Sequence, residues 1–496
     1  MKTLILITLL CGSPIWAGDL TVPPGYEIVK VEGNRVEIKD LTTGYITPYW
    51  TNFERDSLDI PVIDDTEDET PRAWYYLETL ATLPWFVYVV TGDLNNSGFA
   101  EIYGRYQGEA YLDTLVTPWQ FDHISLDNLG APEYLGDTDL DGKGELLTLR
   151  DDGFYLYESP AYNSYPESLI WYYADNIYQE RDAKLGDTDG DGFGEVLFYF
   201  GQRALGYQIF ELDSTGNYTW RTAIPFFDHV YDYTGEASFG DVDGDGLTEI
   251  FAGGIHGEVI VYENTADDSF EFVWMDSVGT PDAYSTEFLG DTDGDGYNEF
   301  MVAANYIFGS GILFSIYEAE SNNNYRMVYN NNIHGYWASR GDIWVGDFTG
   351  DGYNEIALGT GTSIMILRAI EDNDWKELIR YRNEVTFDIY NYKISSSYPN
   401  FLLNVIWSTD WIMKLLAVGD SFLPGDVSNN GGLNGIDVVY LVSNLKTGMP
   451  PIQSPEIRAD ANGDCEVNLV DVTYLVNYFK GRLPAPEPGW CPYLDE

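Results

Sequence analysis

The sequence predicts a mainly-β fold, a β-propeller of seven blades (with eight as the alternative), followed by a small all-α domain. Three observations carry this reading. A short acidic motif returns six times at a spacing near 50 residues. The chain between its copies has the apolar pattern of strands. After residue 424 that period gives way to two loop–helix units.

The motif copies are GDLNNSGFAEIY from Gly92, GDTDLDGKGELL from Gly136, GDTDGDGFGEVL from Gly186, GDVDGDGLTEIF from Gly240, GDTDGDGYNEFM from Gly290 and GDFTGDGYNEIA from Gly346. The steps between them are 44, 50, 54, 50 and 56 residues, the signature of a repeat array. Within the third unit the apolar runs VLFYFG, GYQIFELD and NYTWRTAI are bounded by Gly, Asn or Asp, and EASFGD leads into the next unit. Four short strands in about 50 residues is the content of one propeller blade. A helical solenoid needs apolar residues at helical spacing, which these segments lack.

Six motifs give six blades. Residues 383–417 and the hairpin pattern YEIVKVEGNRVEIKD at 26–40 are strand-like but carry no acidic loop. Joined as a composite seventh blade, they close a ring spanning 18–420. Eight blades is the alternative because that span holds nearly eight periods.

In the third loop Asp187, Asp189 and Asp191 fill positions 1, 3 and 5, Gly192 position 6, Phe193 position 7 and Glu195 position 9. Carboxylates this close repel one another, and the arrangement becomes favourable around a divalent cation. Gly192 permits the positive φ that turns the backbone inward. Phe193 offers its carbonyl and Glu195 both carboxylate oxygens. Hard oxygens in this number suit Ca²⁺, whereas Mg²⁺ prefers stricter octahedra and more retained water. The lack of His and Cys in these loops argues against zinc.

Equivalent positions hold Asp137, Asp139, Asp141, Lys143 and Glu145 in the second loop and Asp241, Asp243, Asp245, Leu247 and Glu249 in the fourth. The fifth has Asp291, Asp293, Asp295, Tyr297 and Glu299. The first loop, with Asp93, Asn95, Ser97 and Glu101, keeps two carboxylates, and the sixth, with Asp347, Thr349, Asp351, Tyr353 and Glu355, keeps three. Ligand charge tunes affinity, so the first site is expected to be the weakest.

The spacing follows the first part of an EF-hand, but the acid arrives at position 9 and a strand comes after it. On these residues the six units, roughly 90–360, resemble the FG-GAP or VCBS calcium-binding repeats of propeller proteins. The resemblance implies up to six Ca²⁺ in the ring.

A Gly- and Pro-marked joint near GDSFLPGD separates the second module. DVSNNGGLNGID offers side-chain oxygens at Asp426, Ser428, Asn430, Asn434 and Asp437, and DANGDCEVNLVD offers them at Asp460, Asn462, Asp464, Asn468 and Asp471. The helices that follow carry apolar stripes, Val438, Leu441, Val442 and Leu445, then Val472, Leu475, Val476 and Phe479. The pair of EF-hand-like loops resembles a dockerin domain over 424–483, ahead of a Pro-rich tail at 484–496. That resemblance implies two further Ca²⁺ and a cohesin-like protein as partner. Gly435-Ile436 and Leu469-Val470 replace the hydroxyl residues common at the cohesin contact, so the docking surface is more apolar than usual. Cys465 replaces the usual loop Gly, which a bond to Cys491 would explain.

The segment MKTLILITLLCGSPIWAGDL reads as an export signal over 1–17, with a short apolar core, the breaker Pro14 and a cleavage point at Ala17. Cys11 alternatively marks lipoprotein processing, although Leu10 before it is bulkier than that cleavage tolerates. Loss of Cys11 leaves Cys465 and Cys491, compatible with one disulfide in an exported chain. No other stretch is apolar for long enough to span a membrane. The formal charge of −56 argues against nucleic acid or an anionic membrane surface as partner.

No nucleophile or acid/base signature is visible, and His123, His229, His256 and His334 fall at no motif spacing. The catalytic residues are unknown and no organic cofactor is indicated. Trp119, Trp171, Trp220, Trp274, Trp337 and Trp344 recur between the loops. They are either blade packing or stacking platforms for sugars. The expected role is a secreted binder of a glycan or protein ligand, docked into an assembly. The alternative is a polysaccharide-degrading lyase or hydrolase carried by the same dockerin.

Overall fold

The computed structural model describes residues 26–32, 35–40, 46–50, 63–65 and, with short interruptions, 75–486. The export segment, Cys465 and Cys491 lie outside the described residues, as do Trp337, His229, His256 and His334.

Seven sheets form the ring, six of them built on consecutive antiparallel strands at 87–126, 131–174, 181–224, 238–277, 283–333 and 343–381; the fifth of these gains a parallel outer strand, Ile63–Asp65, on Asn324–Ile333. Blade three shows the pattern, with strands Arg181–Gly186, Glu195–Phe200, Tyr207–Leu212 and Tyr218–Ile224. The second and third strands of a blade are covered on both faces by neighbouring sheets. They therefore read as unbroken apolar runs, as in Glu249–Gly253 and Gly153–Glu158. The fourth strand lies at the rim and is half-buried to exposed along its length, as in Ser168–Ala174. The core is accordingly divided: each of seven apolar clusters joins one blade to the next, the last (Leu83, Phe86, Tyr392, Met413) sealing blade seven to blade one.

Blade seven is composite, but not in the way the sequence suggests. Strands Thr386–Tyr392, Phe401–Ile406 and Ile412–Asp420 are completed by Tyr75–Pro84, which pairs antiparallel with the last of them. The hairpin at 26–40 instead forms a separate three-stranded sheet with Ile46–Trp50. Tyr75 and Leu83 are buried in the two interfaces that flank blade seven, so apolar burial selects this strand over the more charged hairpin. Gly104 admits the close approach of Phe86, whose Cβ and Cγ stand 2.4 Å from where a Cβ would lie.

Two helices follow the ring, α1 (Gly435–Thr447) and α2 (Leu469–Phe479), packed over Val427, Leu441, Ala459, Ala461 and Leu475. Among the described residues no helix is long and apolar enough to cross a membrane.

If the strand at 75–84 closes the ring, removing residues 1–84 should expose the edge of Ile412–Asp420, lower the melting temperature by ~10 °C or more and promote association. Removing residues 1–50 should shift it by only a few degrees, because the 26–50 sheet pairs with no ring strand among those described. Calorimetry of the two truncated chains checks this.

Candidate metal centres

Each of six loops joins the first strand of its blade to the second, so the ring sets all six on one face. Every loop is closed by the same pair, a Gly at the end of the first strand opposite the position-9 Glu: Gly92 and Glu101, Gly136 and Glu145, Gly186 and Glu195, Gly240 and Glu249, Gly290 and Glu299, Gly346 and Glu355. Because Glu opens a buried strand, its carboxylate is carried inside: these six residues are at most 1% exposed.

Loops three, four and five share one geometry. In loop three the Asp187 carboxylate accepts the N–H of Gly190 at 2.7 Å and of Gly192 at 3.1 Å, and Gly192 holds φ +90° to make that turn. Asp191 accepts the N–H of Phe193 at 2.7 Å. Glu195 accepts both the N–H and the hydroxyl of Thr188 on Oε2, whereas its buried Oε1 has no hydrogen-bond partner. Glu249 and Glu299 repeat this, with Oε2 bonded to Val242 and Thr292 and Oε1 left over. Asp187, Asp189, Asp191 and Glu195 each offer an oxygen within 4.8 Å of the others, as do Asp291, Asp293, Asp295 and Glu299, and as do Asp241, Asp243 and Glu249. Without a cation, burial and then the neighbouring aspartates push the pKa of Glu195, Glu249 and Glu299 up to about 8. An orphaned carboxylate oxygen facing two or three aspartates fits Ca²⁺.

Loops one and six meet the same need from within the chain. Asn95 donates Nδ2–H to Glu101 Oε1 at 2.7 Å, and Ser97 donates its N–H to Asp93 at 2.8 Å. In loop six Arg368 donates Nε–H to Glu355 Oε1 at 3.0 Å and Nη2–H to the Thr349 hydroxyl at 2.8 Å. The protein's own donors thus stand on the oxygen that loops three to five leave free. In loop two Asp137, Asp141, Lys143 and Glu145 are described, and Lys143 Nζ bonds Asp141. Asp139 and, in loop six, Asp351 lie outside the described residues. The position-7 side chains Phe193, Leu247, Tyr297 and Tyr353 are exposed, so any metal contact from this position is through the backbone.

The sequence reading missed one feature. Asp189, Asp243 and Asp293 each accept, on Oδ2, a backbone N–H from the hairpin turn of the following blade: Asp268 at 2.8 Å, Asn323 at 2.6 Å and Asn373 at 2.7 Å. These turn residues have φ of 55°, 58° and 59°, which Asp and Asn tolerate. The signal was present in TADDSF, ESNNNY and IEDNDW, Asx-rich turns between strands.

In the helical domain, Asn434 and Asn468 are the N-caps of α1 and α2, each paired with the closing aspartate in a capping box. Asp437 and Asp471, fully buried, accept the N–H of Asn434 at 2.8 Å and of Asn468 at 2.7 Å. Their other oxygens reach back to Ser428 Oγ at 2.7 Å and to the N–H of Ala461 at 2.8 Å and of Asn462 at 3.3 Å. Asp426 and Asp460 are buried beside them, and burial pushes Asp471 up to about 6. Asn430 and Asp464 lie outside the described residues.

Charge on the loop should set the calcium dependence. Asp189→Ala removes a carboxylate from a site with a free Glu oxygen, whereas Asn95→Ala alters a loop that already bonds its own glutamate. At hundredfold excess over Kd one site contributes ~3 kcal/mol. Asp189→Ala is therefore expected to lose most of such an increment in calcium titrations of the melting temperature, with Asn95→Ala losing less. The pH response should reverse with the ion. Glu195, Glu249 and Glu299 in the cation-free fold have pKa values of about 8 against an ordinary 4.5. The chelated protein therefore loses stability as pH rises from about 4.5 to about 8, while the gain from added Ca²⁺ grows over the same window. Melting curves with and without chelator at several pH values measure both slopes.

The sequence is similar to two known families over parts of its length. Residues 241–302 match the model of the FG-GAP-like repeat and residues 424–480 that of the dockerin type I domain. Among solved structures, the WD40 domain of Toxoplasma gondii coronin is 10% identical with a TM-score of 0.48, covering 77% of this chain and 92% of that one. The β-propeller domain of Vanderwaltozyma polyspora Nup133 is 12% identical with a TM-score of 0.46, covering 71% and 99%. No curated protein matches the chain. The chain is a seven-bladed β-propeller that contains an FG-GAP-like repeat and carries a C-terminal dockerin type I domain.

Proposed function

We propose that this is a secreted, calcium-stabilised propeller that binds a glycan or protein ligand on its loop face and is held in an extracellular assembly by its dockerin through a cohesin-like partner. One observation carries the binding role. Position 7 of the loops presents Phe99, Phe193, Leu247, Tyr297 and Tyr353, all at least 38% exposed, at equivalent places in five blades. Large apolar side chains repeated on one rigid face are what stacking on sugars or docking a protein uses. The recurring tryptophans contribute less: Trp119, Trp171, Trp274 and Trp344 pack against the ring's core clusters, and Trp220 alone of those described is exposed.

The docking role is supported by Ile436 and Val439 on α1 and by Leu469 and Val470 on α2, all more than half exposed, with Ile436 and Val470 at matching positions of the two units. A second reading, an enzyme acting on polysaccharide, has one observation behind it. His123 Nδ1 lies 2.6 Å from Asp113 Oδ1, the aspartate is fully buried, and burial pushes it up to about 6.

Incubation of the full chain with a panel of acidic and neutral polysaccharides separates these roles. Retention without new chain ends supports binding, and His123-dependent cleavage supports the enzyme. Tyr297→Ala with Phe193→Ala should weaken retention at least tenfold while leaving calcium binding intact. Ile436→Asp with Val470→Asp should abolish capture by the dockerin's partner without loss of calcium-induced helicity.

A further inference from the structure

The loop carboxylates of blades two to five are backed by a second acid. The position-9 glutamate pairs across the sheet with a glutamate of the third strand: Glu145 with Glu158, Glu195 with Glu211, Glu249 with Glu263 and Glu299 with Glu318. Acids placed so close need positive charge beside them. In three of these blades the chain supplies it. Lys143 Nζ bridges Asp141 and Glu158 in blade two. Arg221 Nε lies 2.8 Å from Glu211 in blade three, and Arg326 Nη2 lies 3.2 Å from Glu318 in blade five. In blade six an arginine, Arg368, bonds the position-9 glutamate from the third strand itself.

Blade four breaks the pattern. The residue opposite Glu263 is Glu271, where blade five has Arg326 opposite Glu318, and position 7 is Leu247 rather than a lysine. Among the described residues no Lys or Arg bonds Asp243, Asp245 or Glu263. Even so, these three acids offer oxygens within 4.8 Å of one another, and Glu263 is 6% exposed.

Blade five brings neutral oxygens to the same place. Tyr325 is 5% exposed and its hydroxyl has no hydrogen-bond partner. Tyr325 stands two residues after Asn323 in the chain that reaches these acids, and burial first, then the charges of Glu249, Asp243, Glu263 and Asp245, raise its pKa. Asn323 donates its N–H to Asp243 at 2.6 Å and Nδ2–H to Glu263 at 2.8 Å, while its buried Oδ1 is left without a partner.

We propose that the interface between blades four and five holds a second divalent cation beside the loop ion, bound by Asp243, Asp245 and Glu263, with the Tyr325 hydroxyl and the Asn323 side-chain carbonyl as neutral donors. An all-oxygen set from two blades suits Ca²⁺, which tolerates irregular geometry. This ion replaces the side-chain cation that the other blades carry, and it ties blade four to blade five. The proposal rests on the calcium reading of the loops.

Its test is the number of Ca²⁺ ions bound by the full chain, read by elemental measurement after equilibrium dialysis. Glu263→Arg supplies the missing cation, as Arg368 does, and should bind one ion fewer than wild type. Its melting temperature in chelator should equal or exceed that of wild type. Asp241→Asn touches only the loop site and should lose at least one ion independently. If Glu263→Arg folds poorly, Glu263→Gln should still lose one ion. Full retention of ions by the Glu263 variants, with loss in Asp241→Asn, overturns the second site and leaves the loop site standing. Equal counts in wild type and all variants overturn both.

Discussion

The constraint on which the ring depends is a buried carboxylate. Six blades open their second strand with a glutamate that is almost fully enclosed, at the point where the loop turns into the sheet. Leaving a charge there without a partner costs several kcal/mol, so each blade must neutralise it or surround it with donors. Backbone N–H groups of the loop satisfy one oxygen. What meets the other differs from blade to blade: the amide of Asn95, the guanidinium of Arg368, or, in blades three to five, no donor of the chain but a group of two or three aspartates whose oxygens suit a divalent cation. A single structural problem therefore has several solutions within one chain.

The loops also bear on how the blades hold together. Seven apolar clusters join neighbouring sheets, but the faces of a propeller are polar, and there the position-3 aspartates reach across to the next blade's hairpin. An ion that fixes Asp189, Asp243 or Asp293 thereby fixes a contact between blades. A metal bound on that face would couple to ring closure, while apolar packing and the strand at 75–84 close the ring elsewhere.

Much of this was legible in the sequence because the information is local. The six acidic motifs gave the blade period, and the apolar runs after each glutamate gave strands covered on both faces. The two helices were readable from their stripes and from Asn434 and Asn468 at their starts. Long-range pairing was not readable. Tyr75–Pro84 and the hairpin at 26–40 both look like strands, and only burial against blades one and six distinguishes them. Arg368 is 13 residues from Glu355 and belongs to another strand, so no motif links it to the loop it occupies. The turns at Asp268, Asn323 and Asn373 lie about 80 residues from the aspartates they bond, a distance set by the ring.

The central claim is that a cation stands on the glutamate of loops three, four and five, whereas the chain's own donors stand there in loops one and six. Crystals grown in calcium, measured at a wavelength where calcium scatters anomalously, test it directly. The account predicts anomalous peaks beside Glu195, Glu249 and Glu299 and none beside Glu101 and Glu355. Peaks of similar height at all five glutamates, or at none of them, would contradict it.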